Sequence, residues 1–491
     1  MGGFFGVVTK ENCAASLFYG TDYHSHLGTV RGGLALWDGQ EFHRSIHDIS
    51  NSPFRTRFET DYERFGKLNA HSGIGVISDL DDQPLLFLSH HGTYALVTVG
   101  IIKNIGEIVK DLLGRHQGQF SAMQSGSVTQ TEVVGTLINS QDTIEDGLRY
   151  VQEIIQGSCS ILLLKEGDVL YAARDKHGRT PIVVGRGKDC FCAATESCSL
   201  PNLGFETIRD LGPGEVAKIT ATGMETVVEP SGTASLCAFL YVYYGYPASS
   251  YQGHNVEQVR YRCGEQLAKA NPVEADIVAG IPDSGVAHAL GFAHASGIRY
   301  GRPFVKYTPT WPRSFMPTSQ AERSMIAEMK LIPIPSIIQG QRIVFCDDSI
   351  VRGTQLRNQA SRMRDLKASE VHIRIACPPL LYPCNFIGFS RSRNVMDLVT
   401  RRVIRDLEGD QAPVHLYRDP DGDRYKAMVE RIRDFLRIDS LAFQRIEDLK
   451  KAIGLKGVCT YCWTGEDSAM PGSCSHGCTS CGQTCPSRIH E

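Results

Sequence analysis

Residues 341 to 354 read QRIVFCDDSIVRGT, and this stretch narrows what the chain can fold into more than any other. Ile343, Val344, Phe345 and Cys346 form a short apolar run, the pattern of a buried strand. Two adjacent acids, a Ser-Ile-Val-Arg-Gly-Thr loop and a helix reading QLRNQASRMRDLK follow, the helix carrying Leu356, Met363 and Leu366 at helical spacing. A strand, a glycine-containing turn with free N–H groups and a helix N-terminus together form an anion site, because unpaired amides and the helix dipole converge there. Phosphate is the natural guest. Asp347 and Asp348 would repel a bare phosphate, so they suit hydroxyl groups, which donate to carboxylates, or a magnesium ion. Ribose 5-phosphate offers both hydroxyls and phosphate. A P-loop would need G-x-x-x-x-G-K-[ST], which does not occur in this stretch, and its lysine is missing.

The rhythm around the motif sets the fold class. VEQVRYRCGEQLAKA, DIVAGIP, AHALGFAHASG, the RIVFC strand with its helix and SEVHIRIACPP alternate helix and apolar strand, which predicts an α/β unit with a parallel sheet. Residues 1 to about 230 instead string short β-like runs (GGFFGVV, IGVISD, LLFLSHHGTYALVTVG, CSILLLKEGDVLYAARD, AKITATG) around two helical segments near 101–114 and 143–156, which predicts α+β with antiparallel sheets. EPSGTAS supplies turn formers between the two rhythms. The expected organisation is therefore a domain over 1–230, a second over 231–455 and a Cys-rich tail over 456–491. At 491 residues the chain exceeds one typical core. A net charge of -3 without a long Lys/Arg run argues against a nucleic-acid surface. No apolar stretch reaches the roughly 20 residues a membrane span needs, and the N-terminus lacks a signal-peptide pattern, so a cytoplasmic protein is expected. Sixteen cysteines in such a chain suggest metal binding or plain burial rather than disulfides.

A second strand-turn, DIVAGIPDSG over 276–285, would present the amides of Asp283, Ser284 and Gly285 beside the same crevice, where a pyrophosphate could sit; a plain β-turn is the other reading of that segment alone. The proline-containing and basic stretch over 306–331 reads as a lid carrying Lys306, Arg313, Arg323 and Lys330.

The motif at 347–354 resembles the signature of type I phosphoribosyltransferases, and the whole chain resembles the glutamine phosphoribosylpyrophosphate amidotransferase (amidophosphoribosyltransferase) family. In the first half, Arg174 to Pro181 resembles the family's D-P-x-G-x-R-P-L, Thr195-Glu196-Ser197-Cys198 its S-E-T-C, and Gly212 to Glu215 its P-G-E. In the second half, Ile281 to Ser284, Arg313-Ser314-Phe315, Lys330-Leu331 and Asp347 to Thr354 follow the family's order. The resemblance implies an N-terminal nucleophile hydrolase-like αββα sandwich followed by a type I phosphoribosyltransferase domain with a parallel sheet. It implies formation of phosphoribosylamine from phosphoribosyl pyrophosphate and ammonia in purine biosynthesis. A homo-oligomer is also expected.

The glutamine-hydrolysing parts are missing from this pattern. The family's glutaminase begins, after processing, with C-G-V-F-G, whose Cys supplies the nucleophile and, through its amine, the base. This chain reads Met1-Gly2-Gly3-Phe4-Phe5-Gly6, and Cys13 is internal and better read as a small buried residue. The family's G-H-x-R-Y-[AS]-T falls over Gly75 to Asp79, its H-N-G over Thr98-Val99-Gly100 and its S-D-T-E over Thr129 to Glu132, so the carboxylate clamp, the oxyanion Asn and the amine-binding Asp are absent as well. Loss of an oxyanion donor alone costs roughly 100 to 1000-fold. No useful glutaminase is expected.

The transferase parts are retained. The resemblance gives Asp347 and Asp348 the ribose hydroxyls and, with Ser284, a magnesium ion; Ser349, Val351, Arg352, Gly353 and Thr354 cradle the 5-phosphate; Asp283 and Lys306 join the pyrophosphate side; Lys330 and Arg313 neutralise the pyrophosphate as it leaves. The family usually has Arg two residues before that Lys, where this chain has Glu328. Some members also carry a [4Fe-4S] cluster, and Cys237, Cys384 in PPLLYPC, and Cys459-x-x-Cys462 match its four ligand positions. Four thiolates suit an iron-sulfur cluster or tetrahedral zinc. Cys474, Cys478, Cys481 and Cys485 with His476 form a further group without a family counterpart. Three functions follow: a phosphoribosyltransferase using ammonia, free or delivered by a partner glutaminase; a non-catalytic regulatory paralogue binding phosphoribosyl pyrophosphate or a purine nucleotide; and an ordinary base phosphoribosyltransferase, which would leave the large first domain idle.

Overall fold

A computed structural model describes residues 2–116, 120–121, 123–124, 127–307, 331–388, 394–467 and 469. Met1, Arg313, Arg323, Glu328, Lys330 and the cysteines at 474, 478, 481 and 485 lie outside the described residues.

The first strand already requires two covering layers. In β1 (Gly2–Thr9), Phe5 and Val7 face one core while Phe4 and Val8 face another. A strand with both faces apolar is stable only inside a stack. β1 sits mid-sheet between β4 (Ser72–Ser78) and β10 (Cys190–Ala194), in an antiparallel sheet completed by β2 (Arg31–Trp37), β3 (Phe42–Asp48), β9 (Val183–Gly187) and β11 (Glu206–Asp210). The second sheet runs β13 (Gly223–Val228), β12 (Val216–Thr220), β8 (Val169–Ala173), β7 (Gly157–Lys165), β6 (Gly92–Ile102) and β5 (Leu85–Ser89), again antiparallel. Phe4, Val8, Ile74, Val97 and Leu162 fill the space between the sheets. Helices α1 (Ala14–Asp22) and α2 (Phe54–Phe65) cover the outer face of the first sheet, and α4 (Gln130–Asn139) and α5 (Ile144–Ile154) cover that of the second, with α3 (Ile105–Gly114) beside them. This is an αββα sandwich.

Among the described residues of this unit, five α-helices stand where two were expected. α4 buries residues around most of its circumference, Thr131 through Gly135 with Leu137 and Ile138, and the exposed positions of α1, Ala15 and Tyr19, carry no charge, so no charged face marks the 3.6-residue period in either. α2 does show one, Phe54, Phe58 and Phe65, beneath a charged outer face. The run LLFLSHHGTYALVTVG is two strands, β5 and β6, joined at His90 and His91.

The second unit is built on four parallel strands, β15 (Ile277–Gly280), β16 (Arg342–Asp347), β17 (Glu370–Ile375) and β18 (Ser440–Phe443), in that order. They are preceded by the short β14 (Leu236–Cys237). Helices α6 (Val256–Ala270), α7 (Gly285–Ser296), α8 (Thr354–Asp365), α9 (Val399–Glu408), α10 (Asp423–Leu436) and α11 (Ile446–Ile453) surround the sheet. The C-terminal strand β19 (Val458–Cys459) returns to pair with β14. No helix among the described residues is long and apolar enough to cross a membrane.

The two units are stitched together by polar contacts. Glu196, fully buried, receives Tyr251 Oη at 2.8 Å, the Ser249 hydroxyl and His26 Nε2 at 3.3 Å, while its own N–H donates to His24 Nε2 at 3.0 Å. The N–H of Ile101 donates to the carbonyl of Phe386 at 2.9 Å, and that of Cys237 to the carbonyl of Arg179 at 3.1 Å.

Candidate active site

The crevice forms where β15 and β16 end side by side. The N–H of Ile281 donates to the Cys346 carbonyl at 3.0 Å, which fastens the two following turns together. The approach is close: a Cβ on Gly285, the first residue of α7, would stand 2.2 Å from the Cys346 carbonyl oxygen. Only glycine lets the 281–285 turn lie against the acids. In an open parallel sheet the carboxyl ends of strands are where ligands collect.

Beyond Asp348 the chain makes the expected loop. Gly353 adopts the left-handed conformation (φ +75°) and precedes α8, whose first residue is Thr354. Among the described residues, the backbone N–H groups of Ile350, Val351, Arg352, Gly353 and Thr354 have no acceptor. Meanwhile the loop's outward carbonyls are held: Val351 accepts from Val399 N–H at 2.8 Å and Arg352 from Arg402 Nη2 at 2.6 Å. A pinned loop with donors unspent at a helix N-terminus is an anion cradle. The Arg352 side chain turns away and pairs with Asp397 at 3.1 Å.

The two acids have different surroundings. Asp348 is buried and accepts from the hydroxyls of Ser349, at 2.5 Å, and Ser284. Burial raises its pKa, and those hydroxyls together with the charge of Arg260 oppose the rise. Asp347 receives the N–H of Asp348 at 3.0 Å and shares a side-chain hydrogen bond with it, and burial plus the neighbouring carboxylate pushes it well above the usual carboxylate range. Ser284, Asp347 and Asp348 are hard oxygen donors of the kind magnesium takes. A like-charged pair in a buried crevice favours a cation or hydroxyl donors beside it.

Lys306 ends the short strand Phe304–Lys306 and forms an ion pair with Asp283. Of the residues expected to meet the pyrophosphate, Asp283, Ser284 and Lys306 are thus brought together, whereas Lys330 and Arg313 are not described. A cleft of about 440 Å³ opens beside them, lined by Arg260, Pro282, Asp283, Val286, Tyr300 and Phe304 among others. Arg260 escaped the sequence reading. Its guanidinium is fixed by the carbonyls of Tyr241, Tyr243 and Gly245, each at 2.9 Å, and the residue is 4 % exposed. The signal was present: Val256, Val259, Cys263 and Leu267 mark the buried face of α6, and Arg260 lies on it.

In the sandwich unit, the positions aligned with glutamine-handling residues are closed. Gly2 pairs with Ser78, and a Cβ at Gly2 would stand 2.5 Å from the Ile77 carbonyl oxygen. Gln83, 2 % exposed, accepts from Thr98 N–H at 2.7 Å and donates to the Thr98 carbonyl at 3.1 Å and Ser78 Oγ at 3.2 Å. Thr98 and Thr131 share a hydroxyl hydrogen bond at 2.8 Å, and Asp81 accepts from both the N–H and the hydroxyl of Thr131 at 2.9 and 3.0 Å. The polar groups here satisfy one another.

Four cysteines meet near the junction of the units. β14 and β19 are parallel, with Cys237 opposite Cys459. The carbonyl of Cys462 accepts from the N–H groups of Leu381 and Tyr382, both at 3.0 Å, which draws in Cys384, and the thiols of Cys384 and Cys462 are hydrogen-bonded. All four are free of disulfides. Burial lifts the Cys237 thiol well above the thiol range and Cys459 to about 11, while contact with Cys384 and then burial lift Cys462. Among the described residues no three His, Cys, Asp or Glu side chains are arranged to hold a single metal ion. A cluster carrying its own sulfides spaces its thiolates more widely than one ion does, and four converging cysteines fit its donor set.

Comparison with known proteins covers nearly the whole chain. Residues 71–202 match the model of the glutamine amidotransferase domain. The amidophosphoribosyltransferase of Methanocaldococcus jannaschii is 31 % identical over 491 residues, covering 95 % of this chain and 97 % of the relative. That of Bacillus subtilis is 30 % identical over 487 residues, covering 94 % and 93 %. The solved glutamine phosphoribosylpyrophosphate amidotransferase from B. subtilis, complexed with ADP and GMP, superposes with a TM-score of 0.81 at 29 % identity, covering 95 % of this chain and 97 % of that one.

Proposed function

The chain belongs to the amidophosphoribosyltransferase family of purine biosynthesis, a family of phosphoribosyltransferases, and from that premise we propose that it makes 5-phosphoribosylamine from phosphoribosyl pyrophosphate and ammonia, without hydrolysing glutamine. The observation that carries this reading is a contrast between the two units. The 347–354 loop leaves the N–H groups of residues 350–354 unspent at the N-terminus of α8, whereas Gln83, Thr98, Thr131 and Asp81 spend their polar groups on each other. A match to the glutamine amidotransferase domain over 71–202 then reflects shared ancestry of the fold rather than retained chemistry.

In this reading, the N–H groups of residues 350–354 and the N-terminus of α8 hold the 5-phosphate. The carboxylates of Asp347 and Asp348 accept from the ribose 2′ and 3′ hydroxyls. Bound magnesium, held by Asp347, Asp348 and Ser284, would neutralise charge on the leaving pyrophosphate. Asp283 and Lys306 flank the pyrophosphate, and a substrate phosphate drawing Lys306 away would break its ion pair with Asp283. Lys330 and Arg313 complete the pyrophosphate side. As the C1–O bond breaks, positive charge develops at C1, and the buried acids stabilise it while holding the ring for attack by ammonia. Ammonia arrives from solution or from a partner glutaminase. We also propose a [4Fe-4S] cluster on Cys237, Cys384, Cys459 and Cys462, with zinc as the alternative occupant.

The test is pyrophosphate release measured with ammonia, glutamine and nucleobases in turn. Release with ammonia alone is expected. Glutamine-dependent release accompanied by glutamate would overturn the loss of hydrolysis, and no release under any condition would leave a regulatory, non-catalytic role.

A further inference from the structure

Phe386, two residues after Cys384, inserts between two cations of the sandwich unit. The guanidinium of Arg179 lies 3.9 Å from the ring centroid and the ammonium of Lys103 4.6 Å. Arg179 is 1 % exposed. Its Nη2 binds both carboxylate oxygens of Asp467, at 2.6 and 2.7 Å, and its Nη1 donates to the Gly157 carbonyl at 3.1 Å. Its Nε–H is buried and has no partner among the described residues. An orphaned charged donor in such a place costs about 1–3 kcal/mol unless something accepts from it. The four-cysteine group adjoins this residue. The Arg179 carbonyl already receives the Cys237 N–H at 3.1 Å, and the Arg179 charge reaches Cys459. A neutral thiol is a weak acceptor, but a thiolate bound to iron, or a cluster sulfide, is a strong one.

We propose that Arg179 is the outer hydrogen-bond partner of the four-cysteine site, donating from Nε to a sulfur of the cluster held there and so tying occupancy of that site to the grip of the sandwich unit on Phe386. The inference rests on the cluster reading above. N–H donors to cluster sulfurs raise the reduction potential by stabilising the more negative, reduced form. Arg179 is a positioning residue in this account, with no part in the transfer reaction.

The experiment uses anaerobically purified full-length protein and its Arg179→Lys variant, which keeps the charge and loses Nε. Iron and sulfide content is measured first, then the midpoint potential by dye-mediated titration and the rate of iron loss to a chelator. Expected are equal iron and sulfide in both proteins, a potential shifted negative in the variant and iron loss about five-fold faster, the factor one net hydrogen bond is worth. Equal potentials and equal loss rates would overturn the proposal while leaving the cluster in place. Absence of iron and sulfide from the parent protein would remove the cluster itself, and the proposal with it. Should Arg179→Lys fail to fold, pulsed EPR of the reduced parent protein answers the same question: nitrogen and exchangeable-proton couplings from an arginine Nε–H support the assignment, and their absence overturns it.

Discussion

The carboxamide of Gln83 closes on both backbone polar groups of Thr98, accepting from its N–H at 2.7 Å and donating to its carbonyl at 3.1 Å. Thr98 is the first of the three residues that fall under the family's H-N-G, and its backbone polar groups are committed to a side chain of the same unit, with Ser78 and Thr131 completing the closure.

Restoring a cysteine at position 2 is therefore not expected to restore glutamine hydrolysis. Its Cβ would stand 2.5 Å from the Ile77 carbonyl, so β1 would have to part from β4. Glutamate release by a Gly2→Cys protein with Met1 removed should stay at background. A rate above that of the parent would show the pocket to be open.

Asp347→Asn and Asp348→Asn should each lower kcat/KM for phosphoribosyl pyrophosphate with ammonia at least about 100-fold, since the ribose hydroxyls lose a charged acceptor. Asp347→Asn should nonetheless raise the melting temperature of the ligand-free protein. Burial and the charge of Asp348 raise the Asp347 pKa above its ordinary 3.8, so the folded state binds a proton that the unfolded state has already released. Its stability cost accordingly grows as pH rises from the ordinary value through the folded one. Calorimetry across pH should show the gap between variant and parent widening over that window and then levelling; a gap independent of pH would contradict the assignment.

Gly353→Ala should weaken phosphate binding without unfolding the protein. An alanine at φ +75° is strained by about 1 kcal/mol, and its Cβ would meet Phe435 at 3.1 Å, so the loop relaxes and its N–H groups lose their common focus. KM for phosphoribosyl pyrophosphate is expected to rise about ten-fold with a smaller change in kcat.

Glu196→Ala should loosen the junction between the units. Burial alone would raise the Glu196 pKa, but His26, Ser249 and Tyr251 outweigh it and hold it below its ordinary 4.5. Removing the carboxylate leaves the buried hydroxyl protons of Ser249 and Tyr251 without their acceptor, a loss of about 3 kcal/mol. Because the folded value is depressed, this contribution is present above pH 4.5 and lost as pH falls through the folded value. Urea titrations of parent and variant should differ at neutral pH and converge in acid.

Protein purified without oxygen should contain roughly four iron and four sulfide per chain, and Cys459→Ser should lose most of both. One zinc per chain without sulfide would assign the site to a single ion instead.

The loop from Asp347 to Thr354 was legible because its parts are consecutive: an apolar strand, two acids, a glycine turn and a helix start are adjacent in the chain, and local sequence dictates local backbone. The turn at Asp283 and Ser284 was legible for the same reason. Arg260 was hidden in an amphipathic pattern, where a cation on the buried face reads as noise until the carbonyls of residues 241, 243 and 245 supply its partners. α4 was missed because burial on nearly all sides erases the period that would announce it, and α1 because its exposed positions, Ala15 and Tyr19, carry no charge to mark an outer face.

By itself, then, the sequence determined the two rhythms of the chain, the strand, acids, glycine turn and helix start at the end of β16, and the departure from the family's glutamine-handling motifs at Gly2 and around Thr98. The fold alone decided what surrounds those positions. Gln83 meets Thr98 across 15 residues, Phe386 enters the grip of Arg179 and Lys103 from the other unit, and Cys237 faces Cys459 through a strand pair that joins distant ends of the chain. Such contacts depend on how sheets and helices pack, a matter of many weak and mutually dependent burials, and no local pattern carries them.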